Sequence, residues 1–234
     1  MTKYNIKDSF KPTIGASIFA LVAFSLLIGL GTWQVKRLSV KNALLNKINT
    51  RMSMPAVPMP DKLGNPDEWE FSRVTLVGNY LYDREFLIKP RTFEGKSGYH
   101  ILVPFRRLSG KTVIINRGWI SDELIPKISR PKGIIKLEGV IKLPQKTAFT
   151  PKNNIARNDW YWPDINAMAK TANLRNVAPV IVNIAERQAG VYPVGGRVIV
   201  NIVNNHKQYA IFWFVMAVIL QVIFVFIPIK LNVT

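Results

Sequence analysis

Cysteine is absent from the 234 residues, and histidine occurs only twice, at His100 and His206. Without a thiol there can be no disulfide framework, thiolate nucleophile, cysteine-type zinc site or iron–sulfur cluster. G-x-S-x-G, H-E-x-x-H and phosphate-cradling glycine loops are also missing. Acids are scarce, 14 against 32 Lys and Arg. Asp67–Glu68 and Asp122–Glu123 are the paired carboxylates, and adjacent acids on a basic surface are solvated rather than perturbed. The usual catalytic sets are therefore excluded, and the expectation is a protein that is not an enzyme. A cysteine-free chain also tolerates an oxidising compartment.

Charge is missing altogether from two long spans, Pro12–Val35 and Gln208–Ile229. About 20 mostly apolar residues cross a hydrocarbon core, so both spans read as transmembrane helices. Buried core helices are usually shorter and rarely free of charge. Lys3, Lys7 and Lys11 followed by Gly29-Leu30-Gly31 also resemble a signal peptide, but the apolar run exceeds the usual length and Trp33-Gln34 follows directly, which favours a retained anchor. Ala16 with Ala20, and Ser25 with Gly29, stand four apart and are expected to let another helix approach closely. The expected layout is an N-terminus at 1–12, helices at 13–35 and 208–229, a domain at 36–207 between them, and a tail at 230–234.

Residues 36–207 hold 28 Lys and Arg against 13 acids, a net +15 of the chain's +18. The positive-inside rule would keep Lys36, Arg37, Lys41 and Lys47 in the cytoplasm, but long loops translocate largely regardless of charge. No nucleic-acid fingerprint accompanies the cations, so the expected recipients of the field are the lipid bilayer's anionic head groups, acidic protein partners and ligand carboxylates, and no nucleic acid.

Helical spacing continues past Trp33 through Leu38, Leu44, Leu45 and Ile48 until the prolines of "PAVPMPDKLGNP" stop it. From Phe71 the period becomes two. "FSRVTLVGNY" places Val74, Leu76 and Tyr80 on one face and Arg73, Thr75 and Asn79 on the other. "EFLIKPR", "YHILVPFRRL", "KTVIINRGWI", "IIKLEGVIKL", "APVIVNI" and "GRVIVNIV" complete seven strand-like runs. One helical insert, "PDINAMAKTANL", has Asp164 as its cap. The expectation is an α+β membrane protein: two transmembrane helices bracketing an antiparallel β-rich domain, curled toward a barrel.

A helix starting near Asn205 puts His206, Tyr209, Ala210 and Trp213 on one face. Two readings of that face stand. In one, Tyr209 and Trp213 are interfacial anchors and His206 a polar cap. In the other, the face receives a flat, apolar, metal-centred ligand, the imidazole on the iron and the aromatics along the macrocycle. Trp33 and Gln34 end the first span at the same level, and Arg37, one turn on, can pair with a propionate bidentately. Met52, Met54 and Met59 are thioethers in one loop, either soft ligands for Cu(I) or an apolar contact. His100, in a strand pattern, reads as structural.

Four segments in series resemble the surfeit locus protein 1 family. They are "LGTWQVKRLSVK", then "GYHILVPFRR" with "INRGWI", then "NDWYWPDINAMA", and finally "NNHKQYAIFWF". Asn116, Arg117, Gly118 and Trp119 match its Asn-Arg-Gly-Trp motif, and Asn205, His206, Gln208, Tyr209, Ala210, Trp213 and Phe214 match its second-helix signature. Lys207 departs from the Leu common there. The resemblance implies a non-enzymatic assembly factor and chaperone for haem–copper cytochrome c oxidase, with oxidase subunits as partners. It further implies binding of haem a, with His206 as iron ligand. A central domain outside the cytoplasm and both termini inside are implied as well. The chain begins almost directly with its apolar span and shows no Arg- and Ser-rich leader, so the expected location is a bacterial inner membrane, with the mitochondrial inner membrane as alternative. A scaffold that docks oxidase subunits without touching haem is the competing function.

Overall fold

The computed structural model describes residues 13–185, 190–196 and 204–231. The chain divides into a helical unit, Met1–Lys47 with Ile202–Thr234, and a β unit, Ile48–Asn201. The expected strand "GRVIVNIV", apart from Gly196, and the end segments 1–12 and 232–234 lie outside the described residues.

Helix α1 runs unbroken over Ile14–Ser53, 40 residues, about 60 Å of rod at 1.5 Å per residue. Thr13 Oγ1 accepts from the Ala16 amide at 3.3 Å, capping its start. Ser17, Ser25 and Thr32 each donate their hydroxyl to the carbonyl four residues back. Each hydroxyl is thus satisfied within its own helix, as a lipid environment requires. The helix stops at Ser53 because Pro55 disfavours helical geometry in the residue before it. The other long helix, formed by His206–Leu231, is α3; α2 is the short insert described below. Both long helices are apolar enough to cross a membrane by length and composition.

Of the small residues that spacing singled out, Ala20 is buried between the helices, in a row with Gly31 and Gln34 on α1 and Ala210 and Ala217 on α3. Ala16 and Ser25 are exposed, and a Cβ placed on Gly29 would meet nothing within 4 Å. Gly31 is the close approach: a Cβ there would lie 2.6 Å from Phe214 Cε1.

In the β unit, β1 (Val57–Pro58), β2 (Arg73–Tyr80), β3 (Phe86–Phe93), β4 (Lys96–Arg107), β5 (Thr112–Ile120), β6 (Ile135–Lys142) and β7 (Val177–Ile184) form one sheet. Six of the seven expected runs are therefore strands. The order β2-β6-β7-β5-β4, with β4 returning to β2, closes a five-stranded barrel. Its ladders are antiparallel except β5–β7, which is parallel. That parallel stave was not legible in the alternation; it arises because β6 carries the chain back between β5 and β7, after which α2 (Ile165–Thr171) leads into β7.

Closure depends on shared edges. β4 gives Lys96–Leu102 to β3 and Phe105–Arg107 to β2. β2 gives its start to the short β1 and its end, Gly78–Tyr80, to β4. Gly78 sits where the two strands converge, and a Cβ there would meet the Arg106 carbonyl oxygen at 2.1 Å. Val74, Leu76, Phe105, Val113, Ile115, Leu137, Ile141, Val180 and Val182 fill the interior from all five staves. Each fully buried side chain of this kind contributes roughly 1.5–3 kcal/mol. A second core, Phe86, Ile88, Leu102, Ile114 and Ile181, packs outside the ring against Ile165 and Met168 of α2 and the fully buried Trp160. Asp164 caps α2 as expected, accepting from the Ala167 amide at 3.0 Å.

Gly78→Ala is expected to destabilise the protein by about 2 kcal/mol or more, because backbone rather than a movable side chain meets the new methyl. Gly29→Ala, with open space and a helical backbone, should be neutral or slightly stabilising. Thermal unfolding of the two full-length variants followed by circular dichroism checks the contrast.

Candidate functional site

At the head of the helix pair, α3 begins at His206, and the Tyr209 amide closes its first turn on the Asn205 carbonyl at 3.2 Å. Of the face expected there, His206 and Trp213 are half-buried and Ala210 is buried, whereas Tyr209 turns outward, 52% exposed. Trp213 packs edge-on against Phe212, ring centroids 5.1 Å apart.

The His206 ring faces α1. Its Nδ1 lies 2.6 Å from Gln34 Oε1, and Gln34 is itself buried. An amide oxygen only accepts, so with this amide orientation the imidazole must donate from Nδ1. In the neutral ring that leaves the lone pair on Nε2. A side-chain partner that holds one ring nitrogen and orients the other is the arrangement metal-ligating histidines use. Trp33 stands perpendicular to the imidazole, centroids 6.4 Å apart. Arg37 lies over the Trp33 ring, its Cζ 5.7 Å from the centroid. One turn further, Asn204 Nδ2 donates to Asn42 Oδ1 at 2.9 Å. Trp33, Gln34, Arg37 and His206 therefore gather in one place, while Tyr209 and Trp213 flank them along α3.

Gln34 as the imidazole's partner and the Asn42–Asn204 bridge are the contacts that residue type alone did not assign. The signal for the first was present: Gln34 is the one amide in the charge-free span 12–35. Among the described residues no three His, Cys, Asp or Glu side chains gather into a metal site. The methionine loop does not assemble as a thioether set, since Met59 is buried in the barrel core while Met54 is exposed. Arg107 holds that loop, donating to the Met59 and Pro60 carbonyls and pairing with Asp61 at 3.0 Å.

The Asn116–Trp119 stretch is structural in three of its four residues. Asn116 Oδ1 accepts from the Gly118 amide at 3.0 Å, and its Nδ2 lies 3.4 Å from His100 Nδ1. Gly118 has φ +125°, and a Cβ would meet the Val194 carbonyl oxygen at 2.1 Å. Trp119 is buried and donates Nε1–H to the Arg91 carbonyl at 2.9 Å. Arg117 is the surplus residue of a β-bulge, since Ile101 pairs with Gly118 and Leu102 with Asn116. Its guanidinium lies over Tyr80 and Tyr82, its Cζ 5.2 and 5.3 Å from their ring centroids. Burial pushes the Tyr80 hydroxyl up to about 12, against the opposing pull of the Arg117 charge.

Comparison with known proteins adds a family to this geometry. The model of the SURF1 family matches residues 21–218. A SURF1-like protein of Monosiga brevicollis is 29% identical, the match covering 91% of this chain and 88% of that one. Surfeit locus protein 1 of Mus musculus is 29% identical over 84% of this chain and 70% of its own. The Homo sapiens protein of that name is 30% identical over 80% and 68%.

Gln34→Leu removes the acceptor while keeping the bulk. The His206 ring is then expected to lose its single tautomer and populate the Nε2–H form, and the helix pair to lose about 1 kcal/mol or more. Imidazole 15N shifts of the protein in nanodiscs, with His100 replaced to simplify assignment, read this directly.

Proposed function

Because the chain belongs to the SURF1 family, we propose that it serves as a membrane-bound assembly factor for haem–copper cytochrome c oxidase, binding haem a and assisting its insertion into the catalytic subunit. The observation that carries this reading is the His206–Gln34 hydrogen bond. It orients the imidazole with Nε2 turned away from Gln34, at the lip of an apolar helix pair. In this reading His206 ligates the iron, Trp33, Tyr209 and Trp213 supply apolar surface for the ring edges, and Arg37 meets a propionate. The donor chemistry fits: one oriented imidazole, aromatic neighbours and a cation are what a carboxylate-bearing iron macrocycle requires. His206 alone would supply a protein ligand to the iron, which would suit a carrier that must release its cargo. The part between the two membrane helices lies outside the cytoplasm of a bacterial inner membrane, or in the corresponding mitochondrial compartment.

A second reading is favoured by the same bond viewed structurally. A Gln–His pair also locks two helices together, and the outer faces of α1 and α3 expose Leu21, Val22, Leu26, Val218 and Val222, surface that could dock an oxidase subunit without haem. His206→Ala separates the two. The carrier predicts that protein purified from cells making haem a loses its Soret absorbance, by about tenfold or more, while circular dichroism is unchanged. Soret absorbance that survives the substitution removes His206 as the iron ligand, and unsubstituted protein purified from the same cells without haem leaves only the docking role.

A further inference from the structure

The Arg117 guanidinium has no assigned task in the helix-head site. It is 7% exposed, and among the described residues neither Nε nor Nη1 has a hydrogen-bond partner. The rings of Tyr80 and Tyr82 satisfy its faces but not these in-plane N–H groups. Buried guanidinium donors are ordinarily paired, because this charge cannot be neutralised by losing a proton. Arg117 is also one wall of a cavity of about 340 Å³ in the β unit, with Tyr80, Ile135, Val191, Pro193 and Lys136 among its other walls. The acid on that wall, Glu138, is already taken: Arg73 donates to its Oε1 from Nε at 3.0 Å and from Nη2 at 2.5 Å.

We propose that this cavity is a binding site for a small organic carboxylate, whose anionic head pairs with the free Arg117 donors and whose apolar body lies against Ile135, Val191 and Pro193. The size is that of the smaller ligand pockets. The lining decides between oxyanions. A phosphate dianion calls for several cations or a nest of backbone amides, whereas here one buried guanidinium faces aliphatic walls, with Lys136 exposed at the rim. A carboxylate with a hydrocarbon portion satisfies both halves. Arg117 has the parity of Val113 and Ile115 on β5, whose side chains fill the barrel interior, and is carried to the same side as Tyr80.

The test uses the full-length protein in nanodiscs and 4-fluorobenzoate observed by 19F NMR, with 4-fluorobenzyl alcohol as the uncharged counterpart and inorganic phosphate as competitor. Saturable binding of the carboxylate is expected, with the alcohol at least about tenfold weaker, the effect of losing charge-assisted hydrogen bonds. Arg117→Gln should weaken carboxylate binding by a similar factor. Ile135→Trp, which fills the cavity and leaves the guanidinium in place, should abolish it and covers the case in which Arg117→Gln does not fold. Equal binding of acid and alcohol, binding unaffected by Ile135→Trp, or phosphate binding in the absence of carboxylate binding would each overturn the proposal.

Discussion

Polar groups withdrawn from water must find partners inside the protein, and this constraint organises the molecule more than any single apolar contact. Leaving a buried donor or acceptor unpaired costs roughly 1–3 kcal/mol, comparable to losing a buried aliphatic side chain. At the head of the helix pair the rule takes the form of Gln34 with His206 and Asn42 with Asn204. Neither the amide nor the imidazole suits the boundary of an oily layer alone, and together they do. In the β unit the indoles follow the same logic, Trp119 donating to the Arg91 carbonyl and Trp160 to Asn158 Oδ1 at 2.6 Å. Exceptions remain at single oxygens of Glu70, Glu85 and Asn204 and, with two nitrogens that neither backbone nor side chain satisfies among the described residues, at Arg117.

The Gln34–His206 pair has a double character. As a structural bond it ties α1 to α3, and as a chemical one it sets which imidazole nitrogen is free. A bare imidazole samples both tautomers and many orientations. One fastened at Nδ1 presents a single atom in a single direction. The aromatic and cationic neighbours, Trp33 and Arg37, come from the same turn-to-turn stretch of α1. The arrangement therefore needs only the start of α3 to stand level with one stretch of α1, a level that the absence of charge from their spans already implied.

What was legible in the sequence was the periodic part. The charge-free spans marked both long helices, the alternation of Val74, Leu76 and Tyr80 pointed these side chains into the barrel interior, and Asp164 capped its helix. The start of α3 fell where the His206 face required it. What stayed hidden depended on partners distant along the chain. No local pattern tells that β5 runs parallel to β7, that β4 divides one edge between two neighbours, or that β5 carries a bulge at Arg117. Small residues were legible only in part. Of Ala16, Ala20, Ser25 and Gly29, all suitably spaced, packing buried Ala20 alone, in a row with Gly31 and Gln34 where Phe214 fits against a missing side chain. Met59 likewise looked like a loop thioether until the Arg107 clamp drew it into the core.

The way the barrel closes has a mechanical corollary. β2 meets β4 over only Gly78–Tyr80 and Phe105–Arg107, flanked by the Leu81 and Leu108 amides, whereas β4 and β5 are zipped from Tyr99 to Arg106. Cooperative units open first where the fewest backbone bonds must part. The cylinder thus has a weak suture, and breathing along it would let deuterium reach the Gly78–Tyr80 amides well before those of β5, through a gap that leads to Leu76 and Phe105.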